Sequence, residues 1–265
     1  MVGTLLAVSL TCHCAPIEKR PLCIGDTFIV HSKILGEERR INVYVPPPAG
    51  GALSAPLPVL YMPDGGVRED FLHVAGLVQV LVGNGTMRPF LLVGIENTER
   101  RRDMTGPSLV ESDRSIAPRI GGAAAFRSFL KFELMPQIRR RYHSADETAI
   151  VGESLAGLFV VETFLFEPDL FDTYLAFDPS LWWNNEFILK NAESLLKAHD
   201  RSGKSIFLAA SGDSGMLDKL AHFDAQLGSG DAGVAHHSYQ PMPQDTHATI
   251  YHPAALIGFR RALAK

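Results

Sequence analysis

Cysteine is scarce in this chain, and its three cysteines, Cys12, Cys14 and Cys23, all fall before residue 24. That leaves no sulfur for a disulfide-stapled core or for a cysteine nucleophile further along, and the Cys-x-Cys pair lacks the second ligand pair that a zinc site needs. Long apolar runs are missing too. Residues 2–10 are apolar but far too short to span a bilayer. They precede Cys12-His13-Cys14-Ala15 with no basic residue before them, so residues 1–24 read as a leader or a truncated export signal and leave the compartment open. No Pro/Ser/Gly linker and no internal repeat divides the remainder, and residues 25–265 suit one α/β domain large enough to bury a substantial core. A broad basic surface is lacking as well. The net charge is -4, and apart from Arg100 to Arg102 and Arg139 to Arg141 the cations are dispersed, which argues against a nucleic-acid partner.

What is present is a regular alternation of short apolar runs and helical stretches. Residues 27–35 and 40–46 alternate apolar and polar around Gly36-Glu37-Glu38, as an antiparallel hairpin does. Residues 57–62 and 90–95 are nearly continuous apolar runs of the kind buried in a parallel sheet, with a helix expected between them to about residue 82. Residues 97–118 carry no periodicity and read as a long loop. Phe126, Phe129, Leu130, Leu134 and Ile138 recur at helical spacing, with Pro136 as a kink. Strands are then expected at 148–151, 174–177, 205–210 and 235–240, and helices at 158–166, 186–198, 216–227 and 254–263. Antiparallel strands followed by strand-helix alternation predict a mostly parallel central sheet with helices on both faces, whose site lies beyond the carboxyl ends of the strands.

One turn stands out. Gly152-Glu153-Ser154-Leu155-Ala156-Gly157 joins a buried strand to an apolar helix. A serine on such a turn projects its hydroxyl into a cleft at a helix N-terminus, and the small residues around it allow the chain to reverse sharply. The same pattern also describes a plain strand, a serine cap and a helix. A serine hydroxyl needs a base to become a nucleophile, and His247, in a polar loop between the last strand and the closing helix, is the best placed of ten histidines. His236 and His237 fall within a strand, and His222 and His252 on helical stretches. The acid that orients the imidazole is expected at Asp213, after the strand at 205–210, with Asp178 as the rival and Asp218 a weaker one. Asp178 is followed at once by Pro179 and can instead serve a turn. Oxyanion donors are expected from the backbone N–H groups of Leu155 and of Gly66, the latter in Asp64-Gly65-Gly66.

These stretches resemble the esterase family of α/β-hydrolases that contains S-formylglutathione hydrolase, feruloyl esterases, siderophore esterases and mycolyltransferases. The resemblance runs from about Phe28 to the C-terminus. It rests on Ser32 to Arg39 leading into Val43-Tyr44-Val45-Pro46; Leu60-Tyr61-Met62-Pro63-Asp64-Gly65; Gly94-Ile95-Glu96-Asn97 with Arg101, Asp103 and Thr105; Glu133-Leu134-x-Pro136 with Tyr142; the serine turn; and Pro179-Ser180-Leu181-Trp182-Trp183. It implies an α/β-hydrolase fold and a serine carboxylic-ester hydrolase acting on a small-molecule ester without metal or cofactor, the alternatives on the same fold being acyl transfer to a sugar or alcohol acceptor and ligand binding without catalysis. Its triad falls on Ser154, Asp213 and His247, with Gly66 again beside the oxyanion. The Trp-Trp pair is echoed most closely in siderophore esterases, and Ala156 departs from the usual Ser-x-Gly-Gly. Trp182, Trp183, Asn97 and Arg101 are the candidate substrate-binding residues, although a buried Trp and an Arg101–Asp103 ion pair are equally good accounts of theirs.

Overall fold

The computed structural model describes residues 18–47, 55–213, 215–228 and 233–264. Residues 1–17 of the expected leader, with Cys12 and Cys14, lie outside them, and Cys23 is an exposed free thiol. Eight strands form one sheet: β1 (Asp26–Ser32), β2 (Glu37–Tyr44), β3 (Val59–Pro63), β4 (Leu91–Ile95), β5 (Thr148–Glu153), β6 (Thr173–Phe177), β7 (Ser205–Ser211) and β8 (His236–Met242). Their order is β1-β2-β4-β3-β5-β6-β7-β8, with β1, β2 and β4 paired antiparallel and every later pairing parallel. The helices are α1 (Phe71–Gly83), α2 (Arg100–Met104), α3 (Glu111–Ile116), α4 (Ala123–Phe129), α5 (Met135–Tyr142), α6 (Leu155–Phe166), α7 (Trp183–Lys190), α8 (Ala192–Lys197), α9 (Leu217–Leu227) and α10 (Tyr251–Ala262).

The two faces of the sheet can be read directly from the period-2 side-chain alternation of its strands. Val59, Tyr61, Val93, Ile150, Tyr174, Ala176, Ile206 and Leu208 pack with α4, α5, α6, α8 and α9 in one core. Leu60, Met62, Leu92, Ala149, Val151, Leu175, Phe177, Phe207 and Ala209 pack with α1 and α10 in the other. Apart from Glu162 and Thr163, helix α6 is apolar on every side, and eleven of its twelve residues, Leu155 to Leu165, are buried. Fully burying each of its Val, Leu or Phe side chains is worth about 1.5–3 kcal/mol, so the element behind the serine turn is among the most firmly held in the molecule.

Three expectations are revised. The stretch 97–118 is not plain loop, since α2 and α3 form within it. The expected helix over 186–198 is two, α7 and α8, meeting at Asn191, and α7 opens through three left-handed residues, Asn184, Asn185 and Glu186. The irregularity expected at Pro136 takes a specific form. Residues Leu130–Leu134 widen into a π-helical turn between α4 and α5, a turn that accommodates a proline without an N–H to offer.

Candidate active site

Strand register sets the site. In the β5–β6 ladder Glu153 pairs with Phe177, so the next residues, Ser154 and Asp178, leave the sheet side by side. Ser154 has φ 60° and ψ -122°, a left-handed backbone that costs a non-glycine residue free energy and persists where the surroundings enforce it. They do so here. The Ser154 N–H donates to Phe177 O at 3.1 Å, and its carbonyl accepts from Leu158 at 2.9 Å and from Ser180 at 3.0 Å. A Cβ on Gly152 would stand 2.6 Å from the Ala156 carbonyl carbon, so only glycine fits at that position. Ala156, fully buried, occupies the place of the family's first glycine without opening the turn.

His247, in the loop between β8 and α10, meets the serine. Its Nε2 lies 3.0 Å from Ser154 Oγ and its Nδ1 2.6 Å from Asp178 Oδ2. The carboxylate on the ring is therefore Asp178, where the sequence reading favoured Asp213. Asp178 is 1 % exposed and left-handed (φ 42°), and it receives the backbone N–H of Ser211 at 2.8 Å. Asp213 instead accepts the backbone N–H of His247 at 2.7 Å. The Ser211 hydroxyl stands 2.8 Å from Asp178 Oδ2 and 2.9 Å from Asp213 Oδ1, so its single proton links the two carboxylates. Asp218 is exposed on α9. The hydrogen bond that Nδ1–H donates to Asp178 is the main cause that raises the His247 pKa above its ordinary value, against a smaller opposing effect of burial.

The oxyanion side is only partly open. Leu155 is the first residue of α6, and its N–H has no acceptor within the helix. The Gly66 N–H is already engaged, donating to Glu69 Oε2 at 2.7 Å, so the second expected donor is covered by a carboxylate. Around it Asp64 receives both Nε and Nη2 of Arg100, at 2.7 and 2.8 Å.

The substrate candidates separate. Trp182, 42 % exposed, lines a cleft of about 280 Å³ with Ser154, Pro179, Ser180, Met216 and His247. Trp183 is buried, and its Nε1 donates to Gly106 O at 3.0 Å. Asn97 braces the base of the site, its Nδ2 donating to Asp64 and to Glu69. Arg101 makes no pair with Asp103, whose partners are Arg39 and Arg102; it donates to Ile116 O at 3.1 Å and borders a separate cleft of about 340 Å³ with Arg100, Arg102 and Arg119. Two close neighbours of Ser154 were not among the expected site residues. Ser180 Oγ lies 3.5 Å from Ser154 Oγ, and Glu153 Oε1 lies 3.3 Å from His247 Nε2, close enough for charge but without hydrogen-bond alignment. A single polar residue ending an otherwise apolar strand was the signal for Glu153. Glu153, Asp178 and His247 together bring three ligand-type atoms within 4.8 Å of one another, but both imidazole nitrogens already face protein partners, Ser154 and Asp178.

A mostly parallel sheet covered on both faces, with a strained serine between β5 and α6 and a histidine after β8, defines an α/β-hydrolase fold. Residues 32–227 match the model of the family described as "Putative esterase", and the chain belongs to that family. It is 31% identical over 198 residues to the ferri-bacillibactin esterase BesA of Bacillus subtilis (strain 168), covering 67% of this chain and 66% of that protein. Over 158 residues it is 26% identical to the iron(III) salmochelin esterase of Escherichia coli O6:H1, covering 58% of this chain and 35% of the relative. The matched segment thus spans just under two thirds of the first relative's length and about a third of the second's. Among solved structures, an IroE-like serine hydrolase from Shewanella oneidensis superposes with a TM-score of 0.78 at 28% identity, over 89% of this chain and 79% of the other. Among the described residues no helix is long and apolar enough to cross a membrane.

Proposed function

We propose that the chain is a serine hydrolase of carboxylic esters and that its substrate is a siderophore ester. The observation that carries this reading is the single imidazole bridging Ser154 at 3.0 Å and the buried Asp178 at 2.6 Å. Asp178 accepts a hydrogen bond from Nδ1–H, which fixes the tautomer and leaves the Nε2 lone pair facing the hydroxyl. Ser154 Oγ attacks the ester carbonyl carbon as its proton passes to Nε2, and the carbonyl π pair moves onto oxygen. The Leu155 N–H meets that oxygen, and the Gly66 N–H joins it once Glu69 has moved off. Collapse of the tetrahedral intermediate expels the alcohol, which takes the Nε2 proton. Water, deprotonated by the same nitrogen, then releases the acid and restores Ser154.

The siderophore assignment is drawn from the names of the relatives and from the half-exposed Trp182 at the cleft mouth, a stacking surface suited to a catechol or other flat acyl group. The test is hydrolysis by the purified chain of a catecholate siderophore ester, a feruloyl ester, a thiol ester and a short p-nitrophenyl ester, each beside Ser154→Ala. Turnover of the siderophore ester at the highest kcat/KM, lost in the variant, supports the whole reading. Turnover of the other esters alone removes the substrate assignment, and equal rates for parent and variant remove the mechanism.

A further inference from the structure

Glu153 belongs to the serine turn, yet the mechanism above gives it no task. Its side chain is largely buried at the end of β5, and its Oε1 is shielded from water without a hydrogen-bond partner. A buried carboxylate oxygen in that state is costly unless a charge repays it. The groups that face it come from five elements: His247 before α10, Arg100 on α2, Asp178 after β6, Asp64 after β3, and Tyr251 on α10, whose hydroxyl is likewise buried without a partner. Arg100 directs its guanidinium at both oxygens of Asp64. Arg100 still acts on Glu153 through space, but the positive charge in direct contact is the imidazole, 3.3 Å away, and the nitrogen concerned is Nε2, which faces the Ser154 hydroxyl.

We propose that Glu153 is a second acid acting on His247: a positioning residue whose carboxylate faces the Nε2 edge and stabilises the imidazolium formed as Ser154 attacks, while Asp178 holds Nδ1. This rests on the Ser154–His247 reading above. Glu153 gives and takes no proton in the step. The proton leaves Ser154 Oγ for Nε2, Oγ bonds to the carbonyl carbon, and the positive charge on the ring lies between two carboxylates until Nε2–H is passed to the departing alkoxide. Because the 3.3 Å contact lacks hydrogen-bond alignment, Glu153 acts through charge rather than through a shared proton. Burial lifts its pKa to about 7, and the neighbouring imidazole makes the two titrate as a coupled pair. The sign is definite. A negative charge beside the ring favours the protonated ring, and Glu153 is one of the groups that raise the His247 pKa.

The experiment uses Glu153→Gln, which keeps the shape and removes the charge. The pH profile of kcat/KM for a p-nitrophenyl ester should change in two linked ways. The midpoint of the acid limb should fall, and the plateau should fall by about the same factor, on the order of tenfold for each unit of midpoint, because both report one charge–charge interaction. Glu153→Asp, which keeps the charge at greater distance, should recover part of both. A lowered plateau with an unmoved midpoint would assign Glu153 a packing role and overturn the proposal, as would an unchanged profile. A second measurement does not depend on turnover. NMR titration of the His247 ring in Ser154→Ala and in Ser154→Ala/Glu153→Gln should show a lower midpoint in the double variant. That shift in a protein without esterase activity would leave the electrostatic link standing and remove only the catalytic reading. Equal midpoints would remove the link while hydrolysis remained.

Discussion

The tips of β6 and β7 each carry an aspartate to the same histidine, and they hold different parts of it. Asp178, one residue past β6, takes the ring; Asp213, two residues past β7, takes the backbone N–H of the same residue. Strand order explains the difference. β6 is hydrogen-bonded to β5, the strand of the nucleophile, whereas β7 lies one strand further out. Neighbouring strands are about 4.8 Å apart, so Asp178 starts within reach of a ring that must also touch Ser154, and Asp213 starts about 10 Å from the nucleophile's strand. Burial reinforces this, since Asp178 is inaccessible and takes two donors from Ser211, while Asp213 is exposed. Equivalent residues at equivalent places in sequence thus acquire different partners: in the proposed mechanism one orients the proton acceptor, and the other holds the backbone of the loop that carries it.

The comparison breaks most clearly with substitutions at the ring. Ser154→Ala sets the floor, with kcat expected to fall on the order of 10⁴- to 10⁶-fold. Asp178→Asn should lower kcat by about 10³- to 10⁴-fold by leaving the tautomer unfixed. It should also move the acid limb of the residual kcat/KM to lower pH, because the Asp178 hydrogen bond is the largest influence raising the His247 pKa. The same shift has a stability consequence of defined sign. A raised folded-state pKa contributes stability below the unfolded value, about 6.5, and that contribution is lost as pH rises through the folded value. Denaturation at several pH values should therefore show the gap between parent and Asp178→Asn shrinking on the alkaline side.

Asp213→Asn should cost about tenfold or less, since the amide oxygen can still accept from the His247 N–H or the Ser211 hydroxyl, and each such hydrogen bond is worth about 1 kcal/mol. A larger loss from Asp213→Asn than from Asp178→Asn would reverse the assignment. Gly212→Ala tests the support of the outer tip. An added Cβ would sit 2.4 Å from the Pro243 carbonyl oxygen, so the variant should lose about 1–3 kcal/mol in chemical denaturation, with activity falling by less than in Asp178→Asn. The smallest effect is expected at Trp182→Ala, a few-fold rise in KM for an aromatic acyl ester and little change for an acetyl ester, because the residue lines the cleft without touching the triad.

The amino-acid sequence by itself determined the layered architecture, the serine turn and the histidine. Periodicity of two in the strands, continuous apolar runs where both faces are covered, and Gly152, Ser154 and Gly157 at a strand-to-helix junction are local properties, expressed within a few residues of the chain. Even the choice of His247 depended on order along the chain. Only the tertiary structure decided which carboxylate meets the ring, that Glu69 covers the Gly66 amide, that Trp183 is buried while Trp182 lines the cleft, and that Glu153 faces Nε2. Those outcomes depend on strand neighbours and on side-chain directions set by residues tens of positions apart. The distance that separates the carboxylate on the ring from the one on the backbone N–H is about one strand spacing, and no local pattern in the chain encodes it.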